Sequence, residues 1–341
     1  MRAAFLNKHG GPDVIEVGDV PTPGVSQSDV LVRLKVGGLN HLDLWVRRGI
    51  PGLKLAFPHI LGGDGAGTVA RVGSEVRDFK EGDEVIVHPG LSCLRCEVCL
   101  LGWESLCPQY RILGEHMNGT HAEFVCVPAA NIFMKPKSMP FPEAGTGGLV
   151  FTTAWQMLVR RARVRPGDLV LVHGAGSGVS HAAIQIAVLF GAEVIATSTK
   201  REKLAVAKRL GAKHTICTSE VAFDDEVRKL SKRGVDIIVD HIGQIFWEKN
   251  LKVLRWGGTL VTCGATSGWE AKTDLRQVFY RQISLLGSTM GSKGDFPRIL
   301  RLLETGKLRV LVGKLFSLPQ CRDAHVFLEE GGQAGKVGLN I

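Results

Sequence analysis

The chain has 341 residues, more than one hydrophobic core usually supports, so two domains are expected. Hydrophobic side chains make up 45 % and charged ones 22 %, ordinary globular usage that excludes a disordered or fibrous chain. The formal charge of +9 is spread along the sequence and interleaved with Asp and Glu, which argues for a solvated surface with one anionic-cofactor pocket and against a nucleic-acid or membrane partner.

Residues Met1 to Lys8 hold too short an apolar run for a signal-peptide core, and no later stretch approaches a membrane span, so a cytoplasmic protein is expected. From Asp29 to Val36 the pattern alternates, with Val30, Val32, Leu34 and Val36 on one face, as a half-buried strand should. Glycine-punctuated runs at 67–73 and 82–88 follow, so the part up to about residue 135 reads as strands and loops. Four of the eight cysteines, Cys93, Cys96, Cys99 and Cys107, share one window, while Cys126, Cys217, Cys263 and Cys321 are scattered. That distribution suits metal binding in a reducing compartment better than a disulfide framework. Four thiolates at this spacing satisfy tetrahedral Zn²⁺ and leave no position open, which predicts one structural zinc.

After Pro166-Gly167-Asp168 short apolar runs alternate with helical patterns: 169–172, 194–196, 215–217, 235–239, 260–263 and 283–286. Six such runs with helix-length connections predict an α/β, doubly wound parallel sheet behind the mainly β first part. Val179, Ala182, Ala183, Ile186, Ala187 and Phe190 form one apolar helical face, with Gly191 as its stop. Between the first strand and that helix lie Gly174, Gly176, Ser177, Gly178 and Val179, a strand, glycine turn and helix in the order that brings backbone N–H groups to a pyrophosphate. At the end of the second strand an NAD site would place Asp or Glu on the ribose 2′-hydroxyl. The chain instead reads Ala196-Thr197-Ser198-Thr199-Lys200-Arg201, so Ser198, Lys200 and Arg201 predict a 2′-phosphate pocket, NADP(H) over NAD(H). The tail has a helical stretch at 296–303 and a closing run, 335–339, able to return to the first domain.

Gly38-Leu39-Asn40-His41-Leu42-Asp43, the run from Leu61 to Val69, the four-cysteine lobe, Thr152-Thr153-Ala154-Trp155 and the glycine turn, in that order, resemble the medium-chain dehydrogenase/reductase superfamily. That group holds zinc alcohol dehydrogenases and zinc-free quinone and enone reductases, and the resemblance spans essentially the whole chain. It implies a GroES-like domain over residues 1–149, completed by about 288–341, and a Rossmann domain over 150–287. It also implies an active site in the cleft between them and a homodimer or homotetramer. Where the zinc branch holds its catalytic ion, this chain has Asn40, Gly63 and Leu149, and the proton-relaying hydroxyl falls on Leu42. Glycine and leucine side chains cannot coordinate a metal, so the usual catalytic zinc is not expected. Asn40 followed by Asp43, with Asp64 in place of glutamate, is similar to the quinone-reductase branch. Ser180 replaces the third glycine and predicts slightly wider helix-to-sheet packing.

The expected reaction is hydride transfer between NADP(H) and a small carbonyl substrate, an enone or quinone, with Asn40 donating a hydrogen bond to the developing enolate. His41 is a candidate proton donor or phosphate contact. Asp64, with Asp43, is either catalytic or a structural carboxylate paired with a cation such as Lys336, itself also a candidate coenzyme contact. Thr153, Gly264-Ala265-Thr266 and Leu286-Gly287-Ser288 resemble the family's nicotinamide-side contacts. Two alternatives stand beside this reading: an alcohol dehydrogenase whose unusual metal site draws on His41, His59, Asp64 or His116, and an NADPH-binding redox sensor without turnover.

Overall fold

The alternating run folds into one long strand, Asp29–Leu39, with Val30, Val32, Leu34 and Val36 all buried. In the computed structural model, which describes all 341 residues, this strand is the hub of a seven-stranded sheet. It pairs antiparallel with Asp64–Val72, Phe124–Pro128 and the closing strand Lys336–Asn340. The register sets Gly38 opposite both Asp64 and Gly338. Positions 40, 64 and 336, far apart in sequence, therefore meet at one end of the hub strand.

The chain divides into two units, Met1–Leu149 with Ser292–Ile341, and Val150–Gly291. The first is not all strand and loop. His41–Arg48 is a helix, begun by a capping box in which Asn40 and Asp43 exchange hydrogen bonds, and it buries Leu44, Val46 and Arg47. Its Leu-Asp-Leu-Trp-Val run alternates briefly, and tertiary burial of one helical face decides the outcome.

In the second unit the strands Leu169–Val172, Glu193–Ser198, His214–Cys217, Val235–Asp240, Leu254–Thr262 and Ser284–Gly287 form one parallel sheet. Their spatial order is third, second, first, fourth, fifth, sixth. Order reverses between the first and fourth strands, so the crevice beyond their carboxyl ends is the place for a ligand. The fifth strand begins at Leu254, earlier than the apolar run suggests, because a register shift beside Val235 and Ile237 accommodates Arg255 to Gly258. The first helix, Gly178–Leu189, stops at Gly191, whose left-handed backbone (φ 77°) lets its N–H reach Val188 O at 2.9 Å. No helix of the chain is long and apolar enough to cross a membrane.

Candidate active site, coenzyme turn and zinc lobe

The four lobe thiols already stand as a tetrahedron. Sγ separations are 3.9 Å for Cys93 and Cys99, 3.5 Å for Cys96 and Cys99, 3.8 Å for Cys96 and Cys107, and 3.5 Å for Cys107 and Cys93. Four thiolates at ~2.3 Å from one Zn²⁺ require about 3.8 Å between sulfurs, and all four Sγ atoms lie within 4.8 Å of one another, so the set fits that ion with small side-chain shifts. Leu94 takes a left-handed backbone (φ 58°), and this tight turn brings the Cys96 N–H to Cys93 Sγ at 3.4 Å. Backbone N–H groups of Arg95 and Cys96 push the Cys93 thiol down to about 6, while burial and hydrogen bonds with the other three thiols push Cys96 up to about 12.

The positions corresponding to catalytic-zinc ligands form a different environment. A Cβ on Gly63 would lie 3.3 Å from Leu149 Cδ1, so the leucine methyl occupies that corner. Asn40 Nδ2 donates to Asp64 Oδ2 at 3.0 Å, and its Oδ1 accepts from Lys336 Nζ. Leu149 N–H donates to Asp64 Oδ1 at 2.6 Å. Lys336 also donates to Leu39 O at 2.8 Å and to Asp64 Oδ2 at 3.2 Å. Its three ammonium protons are thus spent inside a site where it is 4 % exposed, which corrects the expectation that it contacts the coenzyme. Burial, opposed by Asp64, pulls its pKa below the usual lysine value. Asp43 accepts from the N–H groups of Asn40 (2.7 Å) and Gly62 (2.9 Å) and fixes the two loops that flank the site; burial raises its pKa.

The four residues considered for an unusual metal site do not converge. His59 Nε2 bonds Gly114 O at 3.0 Å, His116 Nδ1 accepts from Ile112 N–H at 3.2 Å, and Asp64 is held as above. His41 opens its helix, partly exposed. A different trio, His121, Cys321 and His325, does bring its ligand atoms within 4.8 Å of one another, fully buried. Arg47 donates to His325 Nδ1 at 3.3 Å while paired with Glu329, so the proton of neutral His325 sits on Nε2. That protonation and the buried guanidinium set the trio against a cation.

In the second unit Gly174 has φ 64°, a backbone that suits glycine, and starts the turn into Gly178–Leu189. Ser177 caps the helix, accepting from Ser180 N–H at 3.1 Å, and partly exposed Val179 lies in its first turn. Ser180 is buried and donates to His173 O at 2.6 Å. The replaced glycine therefore ties helix to strand by a hydrogen bond, where only looser packing was expected. A Cβ on Gly176 would meet Lys203, with Nζ at 3.0 Å, so this ammonium overhangs the turn. Sequence reading missed Lys203; its place one helical turn beyond Lys200 was the available signal. Ser198 Oγ accepts from the exposed Lys200 N–H at 3.2 Å, whereas the Arg201 fork grips Glu220. A carboxylate thus reaches the second strand's end from the loop after the third.

Around the carboxyl ends of the later strands, Thr262 Oγ1 donates to Gly264 O at 3.1 Å, Thr266 N–H to His241 O at 3.2 Å, and Ser288 N–H to Thr262 O at 2.9 Å. Ala265 and Leu286 are partly exposed there. Ser288 Oγ is buried without a partner, an orphan that a carboxamide could satisfy. Thr153 Oγ1 lies 4.0 Å from Met290 Sδ. Turn, overhanging cation and orphan hydroxyl fit a dinucleotide, which would be held by Gly174 to Val179 at its pyrophosphate.

Residues 26–137 match the model of the alcohol dehydrogenase GroES-like domain, and 178–305 that of zinc-binding dehydrogenase. The chain is 33 % identical to an NAD-dependent alcohol dehydrogenase of Sulfolobus acidocaldarius, covering 100 % of both proteins. It is 27 % identical to the quinone oxidoreductase of Homo sapiens, over 99 % of this chain and 97 % of that one. A crystal structure of an NAD-dependent alcohol dehydrogenase superposes with a TM-score of 0.97 at 50 % identity, covering 100 % of both chains.

Proposed function

The chain belongs to the medium-chain dehydrogenase/reductase superfamily, an NAD(P)-dependent oxidoreductase, and we propose that its substrate is a conjugated carbonyl, an enone or quinone, reduced without a metal at the substrate oxygen. One observation carries this reading: where metal ligands would be needed, the Leu149 methyl lies against Gly63 and the Asn40 amide oxygen already accepts from the Lys336 ammonium.

Bound dinucleotide supplies the hydride. Conjugation makes the substrate's β-carbon electrophilic, and hydride arriving there moves an electron pair onto the carbonyl oxygen. Asn40 keeps one amide hydrogen after bonding Asp64, and Lys336 on its Oδ1 polarises that N–H, strengthening it as a donor to the enolate. Asp64 fixes the amide's orientation, and Asp43 holds the loop behind it. His41, next in the chain, is the candidate for returning a proton to the α-carbon; Thr153 and Ser288 are candidates for orienting the coenzyme carboxamide.

For the coenzyme, the absence of a carboxylate at the carboxyl end of the second strand, Thr197-Ser198, and the cations Lys200 and Lys203 support NADP(H). Glu220 on Arg201 counts toward NAD(H), the coenzyme in the names of similar proteins. For assembly, the sixth strand, Ser284–Gly287, is an edge beside exposed Leu275, Phe279 and Tyr280, which favours pairing with a second copy.

The test is turnover of enones, quinones, aldehydes and alcohols by dialysed protein with either coenzyme. Enone or quinone reduction with one zinc per chain is expected. Alcohol oxidation that requires a second metal ion would replace this reading with the alcohol dehydrogenase one, which the names of two of the three relatives favour.

A further inference from the structure

The second unit holds a pocket of about 690 Å³ walled by Arg228, Lys232, Arg233, Lys252, Arg255 and Arg281, with Trp256 at its rim. It lies where the fourth and fifth strands begin, at Val235 and Leu254, and where the helices Phe223–Leu230, Gln244–Val253 and Leu275–Tyr280 end. The glycine turn follows the opposite ends of the parallel strands, a strand length of roughly 15–20 Å away.

Cations at helix C-termini are ordinary, because each helix end carries up to about half a negative charge. Arg281 does that work here, donating to Leu251 O at 2.8 Å and to Leu254 O. Asp236, 4 % exposed, pairs with both Arg233 and Arg255, and Asp225 lies 3.9 Å from Arg228. Lys232 and Lys252 pair with no carboxylate. Two carboxylates and three helix ends against six cations leave an excess of roughly two and a half positive charges. No acidic residue lines the pocket to offset it.

The geometry points to a polyphosphate-binding pocket, distinct from the coenzyme turn, that takes a chain of phosphate oxyanions on Lys232, Lys252 and the uncommitted guanidinium N–H groups of Arg228 and Arg233. The chain could be inorganic or the tail of a nucleoside polyphosphate. Trp256, 60 % exposed, offers a face on which a base would stack.

Calorimetric titration of the full chain with sodium tripolyphosphate should give saturable binding that K232E/K252E weakens at least tenfold. R77E/K80E makes the same charge change on exposed positions of the other unit and should cost less than twofold. Lys203→Ala, which strips the cation over the glycine turn, should leave this binding unchanged. Because both lysines are exposed and unpaired, K232E/K252E should unfold at the parent temperature, and K232Q/K252Q repeats the test without reversed charge. Equal weakening by both charge-reversed pairs, loss in Lys203→Ala, or no change in K232E/K252E overturns the pocket. ATP binding tighter than tripolyphosphate, with the gain lost in Trp256→Ala, assigns a nucleotide; equal affinities assign the inorganic chain.

Discussion

Replacing Lys336 with Met tests whether the buried network is one coupled unit. Lys336 and Asp64 have side chains 5 % and 1 % exposed at 3.2 Å, and the ammonium has three acceptors. Lys336→Met leaves the Asp64 carboxylate with the N–H groups of Leu149 and Asn40 but no cation. Removing one partner of a buried pair costs about 3–5 kcal/mol, since an uncompensated charge stays behind. At ~2–4 °C per kcal/mol for a unit of this size, the expected fall in midpoint is roughly 6–20 °C. In D64N/K336M the neutral amide still accepts from Leu149 N–H and no charge is stranded. The double variant should therefore be more stable than K336M alone, with a coupling of ~2 kcal/mol or more from urea unfolding. Single costs that simply add in the double variant would refute the coupling and, with it, the polarised Asn40 amide.

Zinc content should be one ion per chain, and Cys107→Ser should abolish it and lower the unfolding midpoint; retention of zinc in that variant would sink the four-thiolate assignment. For the coenzyme, Lys203→Ala should weaken NADPH about tenfold and NADH less, read as dissociation constants by fluorescence, whereas Arg201→Ala should change little because Glu220 already holds that fork. Equal losses for both coenzymes in Lys203→Ala would mean a contact to the pyrophosphate alone. His88 and His173 are buried and pushed down to about 3 and about 4, chiefly by desolvation, so they stay neutral when folded but take a proton near pH 6.5 when unfolded. The unfolded state then binds more protons at acid pH, and each histidine should subtract about 1.4 kcal/mol per pH unit as pH falls from 6.5 to 4. His173→Gln should flatten that slope in urea unfolding; an unchanged slope would show that His173 is not neutral in the folded state.

What could be read in the sequence follows from how locally each feature is determined. Buried parallel strands must be apolar along their whole length, so Leu169–Val172 and its five partners stood out as short runs, and four thiols within one loop declared their own geometry. Ser180 was visible as a departure, but its hydroxyl bond to His173 O depends on a turn that only the folded backbone defines. Lys336 was paired in prospect with Asp64, which it does bond, and with Asp43, which backbone N–H groups hold instead, and it was also assigned to the coenzyme. Its position is set by the antiparallel register of Val337 on Leu39, from opposite ends of the chain, and a shift of one residue would have turned its side chain to the other face. Arg201 shows the same limit from the other side. Its neighbours along the chain suggested a phosphate, but Glu220 reaches it from the next strand's loop, nineteen residues on, and decides what the guanidinium can still bind. The cationic pocket is the extreme case: its residues come from four separate segments, each with cations that read alone as ordinary helix-end charges. Their excess exists only once the parallel sheet gathers three helix ends at one edge, so the charge that is most informative about a second ligand is also the least local property of this chain.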